Sequence, residues 1–336
     1  MKNLTIKEFS KLINVSISTI SRAFNDKYDI HPDTKKMILE KAQELGYSPN
    51  PIAQRLIQHQ SKMIGVVVPE FVNAFFPKVI MGIQSVMEEA GYQVLIMSSN
   101  ESAQKELENV KTLERNLIDG LIISLTKETR DISYFKSLQA KHVPIVQFNR
   151  VNQKLETPKI IFDDYTWAFH ATEHLIQEGY KNIYHFSGPQ NLILSHSRCK
   201  GYKEAMAKYG LPFQDKIVEA GIFMEDGMRM AEQLIATNTL PDAVFCFNDP
   251  VAIGAMELFK EKGYRIPDDI AFVGFTESRI AMHMTPALTS VEQPSTLIGE
   301  TAATTLLKMI ETKTVTDDRT IVLNGILNPR ASSKRN

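Results

Sequence analysis

From Met63 onward the chain alternates between two apolar patterns, and this alternation restricts the fold more than any other feature. Ile64-Gly65-Val66-Val67-Val68 is a continuous apolar run with no polar face, as expected of a strand buried on both sides. Parallel strands of this kind need crossover connections, usually helices. The patterning supplies them: a helix over 78–90, a strand over 94–97, a helix over 105–116, a strand over 120–123, a helix over 132–140 and a strand over 144–148. A second set follows, with helices over 167–177, 198–208, 228–236 and 252–262 and strands over 183–186, 244–247 and 270–273. Gly91-Tyr92, Gly179-Tyr180 and Gly263-Tyr264 recur at helix ends, where glycine caps the last turn before the chain enters a sheet. The body therefore reads as two similar α/β lobes, each a doubly wound parallel sheet.

Ahead of the body, residues 1–47 read as a small all-α head. Ile6, Phe9 and Ile13 place one apolar stripe on a first helix. Asn14-Val15 supplies a bend, and Ser16 caps a second helix whose buried stripe is Ile20, Ala23 and Phe24. A third helix starts near His31-Pro32, buries Ile38, Ala42 and Leu45, and stops at Gly46. The second helix leaves Ser16, Ile17, Ser18, Thr19, Ser21 and Arg22 on its other faces, with Thr5 and Asn25 at the ends of the helix pair. Arginine can donate two parallel bonds to a guanine edge, serine can bond bases or phosphates, and isoleucine can touch a thymine methyl. Such a face suits a DNA major groove; the competing reading is an ordinary helical hairpin with solvated hydroxyls. Charge points weakly the same way. Residues 1–60 carry nine Lys and Arg against six Asp and Glu, whereas the whole 336-residue chain is net −1.

Several functions are disfavoured. Cys199 and Cys246 stand far apart with no CxxC or histidine-spaced partner, which argues against a disulfide framework or a zinc site. No run of about 18 apolar residues exists, and Met1-Lys2-Asn3 leads into a polar helix rather than a signal core, so a cytoplasmic chain without a membrane span is expected. Neither a GxGxxG, a Walker loop nor a GxSxG elbow is present. His170 and His174 have i, i+4 spacing but no HExxH frame, and Asp163-Asp164 and Asp268-Asp269 accompany no convincing nucleophile. No catalytic residue, metal or cofactor is expected.

Val15-Ser16-x-x-Thr19-x-Ser21-Arg22, then Gly46-Tyr47-x-Pro49-Asn50-Pro51-x-Ala53-Gln54-x-Leu56, resemble the helix-turn-helix and linker of the lactose/galactose repressor family of bacterial regulators. The resemblance continues over nearly the whole chain. It implies a linker at 48–62 with a hinge helix that folds when two copies meet over DNA. Leu56 would wedge into the minor groove, with Asn50, Ala53 and Gln54 along the same groove. It implies a body at 63–336 hinged by three crossovers, with lobe 1 at about 63–159 and 290–320 and lobe 2 at about 160–289 and 321–332. The periplasmic-binding-protein-like clamshell would close on a ligand.

In such sheets ligands bind outside the carboxyl ends of the strands. The residues there are Phe75, Phe76, Asn149, Arg198, Phe223, Asn248 and Thr276. Aromatics with amides and one arginine suit a small polar ligand. The resemblance places a ligand-binding arginine at Arg198 and effector positions at Phe223 and Asn248. Family members often carry Asp where this chain has Asn149 and Thr276, so a familiar sugar effector is in doubt. Arg198, with fewer carboxylates to balance it, would accept a sugar-like or a phosphorylated ligand. These readings combine into a homodimeric repressor whose affinity for a palindromic operator responds to a small-molecule effector. The alternative is a periplasmic-type solute-binding protein with no DNA role.

Overall fold

The computed structural model describes residues 4–24, 30–49 and 60–335. They form two compact units, Met1–Lys62 and Met63–Asn336. Asn25, Asn50, Ala53, Gln54, Leu56 and the hinge helix lie outside the described residues.

The head holds α1 (Ile6–Ile13), α2 (Ile17–Phe24) and α3 (Pro32–Leu45). Thr5 caps α1 reciprocally: the Glu8 N–H donates to Thr5 Oγ1 at 3.3 Å, and the Thr5 N–H donates to Glu8 Oε2 at 2.8 Å. Asn14 takes the left-handed conformation (φ 53°) that turns the chain into α2. Phe9, Ile20, Ala23, Ile38, Ala42 and Tyr47 form the core, with the Phe9 and Tyr47 rings stacked 4.2 Å apart. Leu45, expected in the core, is 41% exposed. Tyr47 takes its place, because the Gly46 cap swings the next side chain back under α1 and donates the Tyr47 N–H to the Ala42 carbonyl at 2.8 Å.

The body carries twelve strands among the described residues: β1 (Met63–Val68), β2 (Gln93–Ser98), β3 (Gly120–Ile123), β4 (Ile145–Phe148), β5 (Lys159–Phe162), β6 (Ile183–Ser187), β7 (Ile217–Glu219), β8 (Ala243–Cys246), β9 (Ala271–Thr276), β10 (Thr289–Glu292), β11 (Thr320–Leu323) and β12 (Ile326–Asn328). They make two six-stranded sheets, ordered β11-β5-β4-β3-β1-β2 and β12-β10-β9-β8-β6-β7. Every pairing is parallel except β10 with β12. At the recurring Gly-Tyr junctions the glycines have φ of 72°, 92° and 89°. The N–H groups of Tyr92, Tyr180 and Tyr264 reach back to the carbonyls of Met87, Leu175 and Phe259. The repeated sequence is thus a repeated helix stop.

Three short connections join the lobes: Phe162 to Asp164, Glu292 to Ser295, and Leu323 to Ile326. The lobe limits differ from the sequence reading in three places. β5 completes the first sheet rather than opening the second lobe, and β10 still belongs to the second sheet. Residues 321–323, expected in the second lobe, lie in the first sheet, where Ile321 pairs with Ile160. The return to the second lobe comes only with β12, whose Leu327 sits opposite Val291.

A ligand cleft between the lobes and a polar helix face on the head

All seven post-strand candidates border one cavity of about 320 Å³ between the carboxyl ends of the two sheets. From the first lobe come Phe75, Phe76 and Asn149; from the second come Arg198, Phe223, Asn248 and Thr276. Phe75 and Phe76 open the helix Phe75–Glu89 and belong equally to the first lobe's core, with Phe76 edge-on to Phe148 at 6.3 Å. Asn149 follows β4 in the left-handed conformation (φ 55°). Asn248 does double duty. Its Oδ1 accepts the Val251 N–H (3.0 Å) to cap the helix Asp249–Glu261, while its Nδ2 donates to the Ile222 carbonyl (2.9 Å). Phe223 precedes the helix Met224–Ala236 and is half-buried.

Thr276 ends β9 at φ 127° and Glu277 follows at φ 62°, a pair of conformations that side-chain-bearing residues seldom adopt. Surrounding bonds hold them. The Glu277 N–H donates to Ser290 Oγ at 3.1 Å, the Ser278 N–H to Asp249 Oδ2 at 2.6 Å, and Arg330 pairs with the Glu277 carboxylate. Asp249 is fully buried, and burial raises its carboxyl above the ordinary value while its hydrogen bonds oppose the rise.

Arg198 is not the unbalanced cation anticipated from its sequence. Its Nε and Nη2 both reach Asp164 Oδ1, at 2.8 and 2.7 Å, and its Nη1 donates to the Phe247 carbonyl. Phe275 and Phe247 flank the guanidinium, with ring centres 3.7 and 4.6 Å from its carbon. Asp164 opens the helix Asp164–Gln177 just past the first crossover. Burial pushes this carboxyl up, and the adjoining guanidinium opposes that. Asp163-Asp164 bears only on catalysis when read by sequence, and its partner Arg198 lies 34 residues further along the chain, which is why this counter-ion escapes such a reading.

Glu70 and Gln293 of the cleft wall were also missed, whereas Arg150 falls with Asn149 directly after β4 and so stands where a ligand-binding residue is expected. Arg150 Nη1 lies 2.7 Å from Glu101 Oε1, with both side chains 9% exposed. Gln293 sits in the second crossover, and its Nε2 is buried with no partner among the described residues. A weak signal exists for Glu70, which stands immediately after the β1-Pro69 boundary, on the ligand-binding end of the sheet.

In the head, Ser16 Oγ accepts the Thr19 N–H at 3.1 Å, and its hydroxyl contacts Ser18 Oγ at 2.9 Å and Thr19 Oγ1 at 2.7 Å. The cap and the two hydroxyls therefore form one connected group at the start of α2. Ile17, Ser18 and Arg22 are exposed, whereas Thr19 and Ser21 are half-buried. Thr5 is placed as the α1 cap.

A family model described as the periplasmic binding proteins and sugar binding domain of the LacI family matches residues 61–326. The chain belongs to the LacI family. The model for the lacI family of bacterial regulatory proteins matches residues 5–50, so the head is the family's own. Catabolite control protein A of Priestia megaterium is 30% identical over 99% of this chain and 100% of its own length. The ribose operon repressor of Halalkalibacterium halodurans is 30% identical over 92% of this chain and 91% of its own. The lac repressor dimer bound to operator and an anti-inducer shares the fold, with a TM-score of 0.86 at 24% identity over 99% of this chain and 100% of the other. This LacI-family chain is a DNA-binding transcriptional regulator, not a solute carrier and not an enzyme. Among the described residues no helix is long and apolar enough to cross a membrane.

Proposed function

We propose that this regulator is a cytoplasmic homodimeric repressor that reads a palindromic operator and changes its DNA affinity when a small polar ligand fills the cleft. The observation that carries the ligand reading is the convergence of seven post-strand residues from both lobes on one cavity. The DNA reading is supported by the exposed Ile17, Ser18 and Arg22 on α2, beside the hydroxyl cluster at its start. Thr5, Thr19, Ser21 and Asn25 would complete the head's contacts, and Asn50, Ala53, Gln54 and Leu56 those of the linker.

Dimerisation follows the family resemblance, with the first-lobe helix that begins at Phe75 as the contact. Met81, on this helix Phe75–Glu89, is 66% exposed. A two-fold pair of heads matches a palindrome with half-sites related by the same symmetry.

The test is selection of the full-length protein against random duplex DNA. Enrichment of a palindrome around a flexible pyrimidine–purine centre is the expected result. Leu56→Ala should then weaken binding to that site in an anisotropy titration while leaving the body folded; unchanged affinity would remove the wedge role. No enriched site with or without metabolite extract would sink the operator reading.

A further inference from the structure

We propose that Glu70 selects the ligand by charge: it accepts hydrogen bonds from the ligand and keeps phosphorylated and carboxylated molecules out of the cleft. The inference rests on the effector reading above and narrows it.

The two buried arginines of the cleft wall are already engaged. Arg198 gives two bonds to Asp164 and lies between two aromatic rings. Arg150 is held by Glu101. The remaining cation of the lining, Arg279, is exposed at the rim. Glu70 differs from all of these. It is 7% exposed, borders the cavity, and accepts two backbone N–H groups of its own loop, that of Asn73 on Oε2 at 2.8 Å and that of Val72, which leaves part of its acceptor capacity unused. No lysine, arginine or histidine nitrogen among the described residues lies within ion-pair distance of it. A buried carboxylate with spare acceptor capacity facing a cavity calls for a donor from whatever fills that cavity.

The groups behind it supply no spare positive charge, since Arg150 is matched by Glu101 and burial holds the Glu106 carboxyl up at about 7. Glu101 also accepts the Lys127 N–H at 3.1 Å, and Glu106 accepts the Thr126 N–H at 2.8 Å and the Thr129 hydroxyl at 2.6 Å. Glu70, Glu101 and Glu106 thus share one guanidinium, that of Arg150. Burial raises the Glu70 carboxyl above its ordinary value, which a ligand donor would reverse and a ligand anion would worsen. Gln293 completes the pattern from the opposite side of the chemistry, since its buried Nε2 lacks an acceptor. Hydroxyl groups on an uncharged ring satisfy both residues, donating to Glu70 and accepting from Gln293. A phosphate or carboxylate satisfies Gln293 and sets a like charge against Glu70.

The experiment is calorimetric titration of the full-length protein with matched probes: glucose, glucosamine, glucuronate and glucose 6-phosphate; galactose and galacturonate; ribose and ribose 5-phosphate. Binding is expected from an uncharged member or from glucosamine, at least tenfold tighter than from its anionic counterpart. Glu70→Gln should shrink that ratio at least tenfold, while Glu70→Asp, which keeps the charge, should preserve the ranking and so separate charge from packing. An anionic member binding tightest, or a ratio unmoved by Glu70→Gln, overturns the inference and leaves the effector reading standing. Absence of binding by every member overturns both.

Discussion

Asp164→Asn isolates the counter-ion that the sequence reading did not foresee. The substitution keeps the shape of the side chain and removes the charge facing Arg198, whose side chain is 4% exposed against 9% for Asp164. Two unit charges about 4 Å apart attract by about 4 kcal/mol at an effective dielectric of about 20. Removing one partner of a buried pair costs roughly 3–5 kcal/mol, because the other charge stays desolvated. The new amide can still accept one guanidinium N–H at 2.7–2.8 Å, which places the cost near the lower end, about 3 kcal/mol. Trp167, the only tryptophan, lies one turn further along the same helix and reports the unfolding transition in urea by fluorescence. The decisive comparison is a cycle with Arg198→Met. Once the cation is gone the Asn costs little, so the double variant should recover about 2 kcal/mol relative to the sum of the single ones. Single effects that add to within about 0.5 kcal/mol would falsify the claim that Arg198 and Asp164 act as a buried pair.

Two other predictions concern the second lobe. His185 lies stacked between Phe245 and Tyr202 (ring centres 4.8 and 5.3 Å), its Nδ1–H donates to the Phe245 carbonyl, and burial pushes its pKa down to about 4. Between about 6.5, the unfolded value, and 4, the unfolded chain binds a proton that the folded chain refuses. The stability contribution is therefore complete above about 6.5 and falls by about 3 kcal/mol as pH drops through that window. His185→Phe should flatten this dependence in urea midpoints measured at pH 7 and pH 4.5; an identical slope in both proteins refutes it. Gly254 in the helix Asp249–Glu261 touches the Met224 carbonyl so closely that an added Cβ would overlap it. Gly254→Ala should force the two helices apart, cost about 1–3 kcal/mol and lower Tm by several degrees. An unchanged melting curve would mean that the helices part without cost.

The head, most strands and the ligand end of both sheets were legible because each depends on local pattern. Continuous apolar runs mark β1 and β8, the Gly-Tyr stops mark helix ends, and the rule that ligands sit beyond strand ends picks out Phe75, Asn149, Asn248 and Thr276. What stayed hidden depends on partners distant in sequence. β5 begins at Lys159, which reads as a loop residue, yet its side chain is 1% exposed and paired with Asp318. β7 has only three residues, too few for a period. β11 has strand character, but which sheet it joins is decided by Ile160, far away in the chain. Asp164, Glu70 and Gln293 are polar residues whose burial is set by tertiary packing, Asp164 against Arg198 among them, and no local pattern encodes that.

The same placement determines how a ligand can do work on this body. The first lobe offers Glu70, Asn149 and Phe75; the second offers Arg198, Asn248 and Thr276; Gln293 stands in a crossover between them. Lys78 of the first lobe donates to the Glu277 carbonyl of the second at 3.3 Å, a direct bond across the cleft. A ligand bonded to one wall only would bind an open and a closed body equally and shift nothing, however tightly it was held. Moving a two-state body from 1:99 to 99:1 takes about 5.5 kcal/mol of differential affinity. A hydrogen bond to a charged group contributes roughly 1.5–3 kcal/mol. A ligand that keeps its bonds to one wall in the open body gains on closure only the bonds of the other wall, so Glu70 alone supplies part of that energy and further contacts with the same wall, such as Asn149 and Phe75, must supply the rest. Charge selection by Glu70 and the closing of the cleft are then linked: a ligand repelled by Glu70 loses a first-lobe bond and, with it, part of the energy that distinguishes the closed state from the open one.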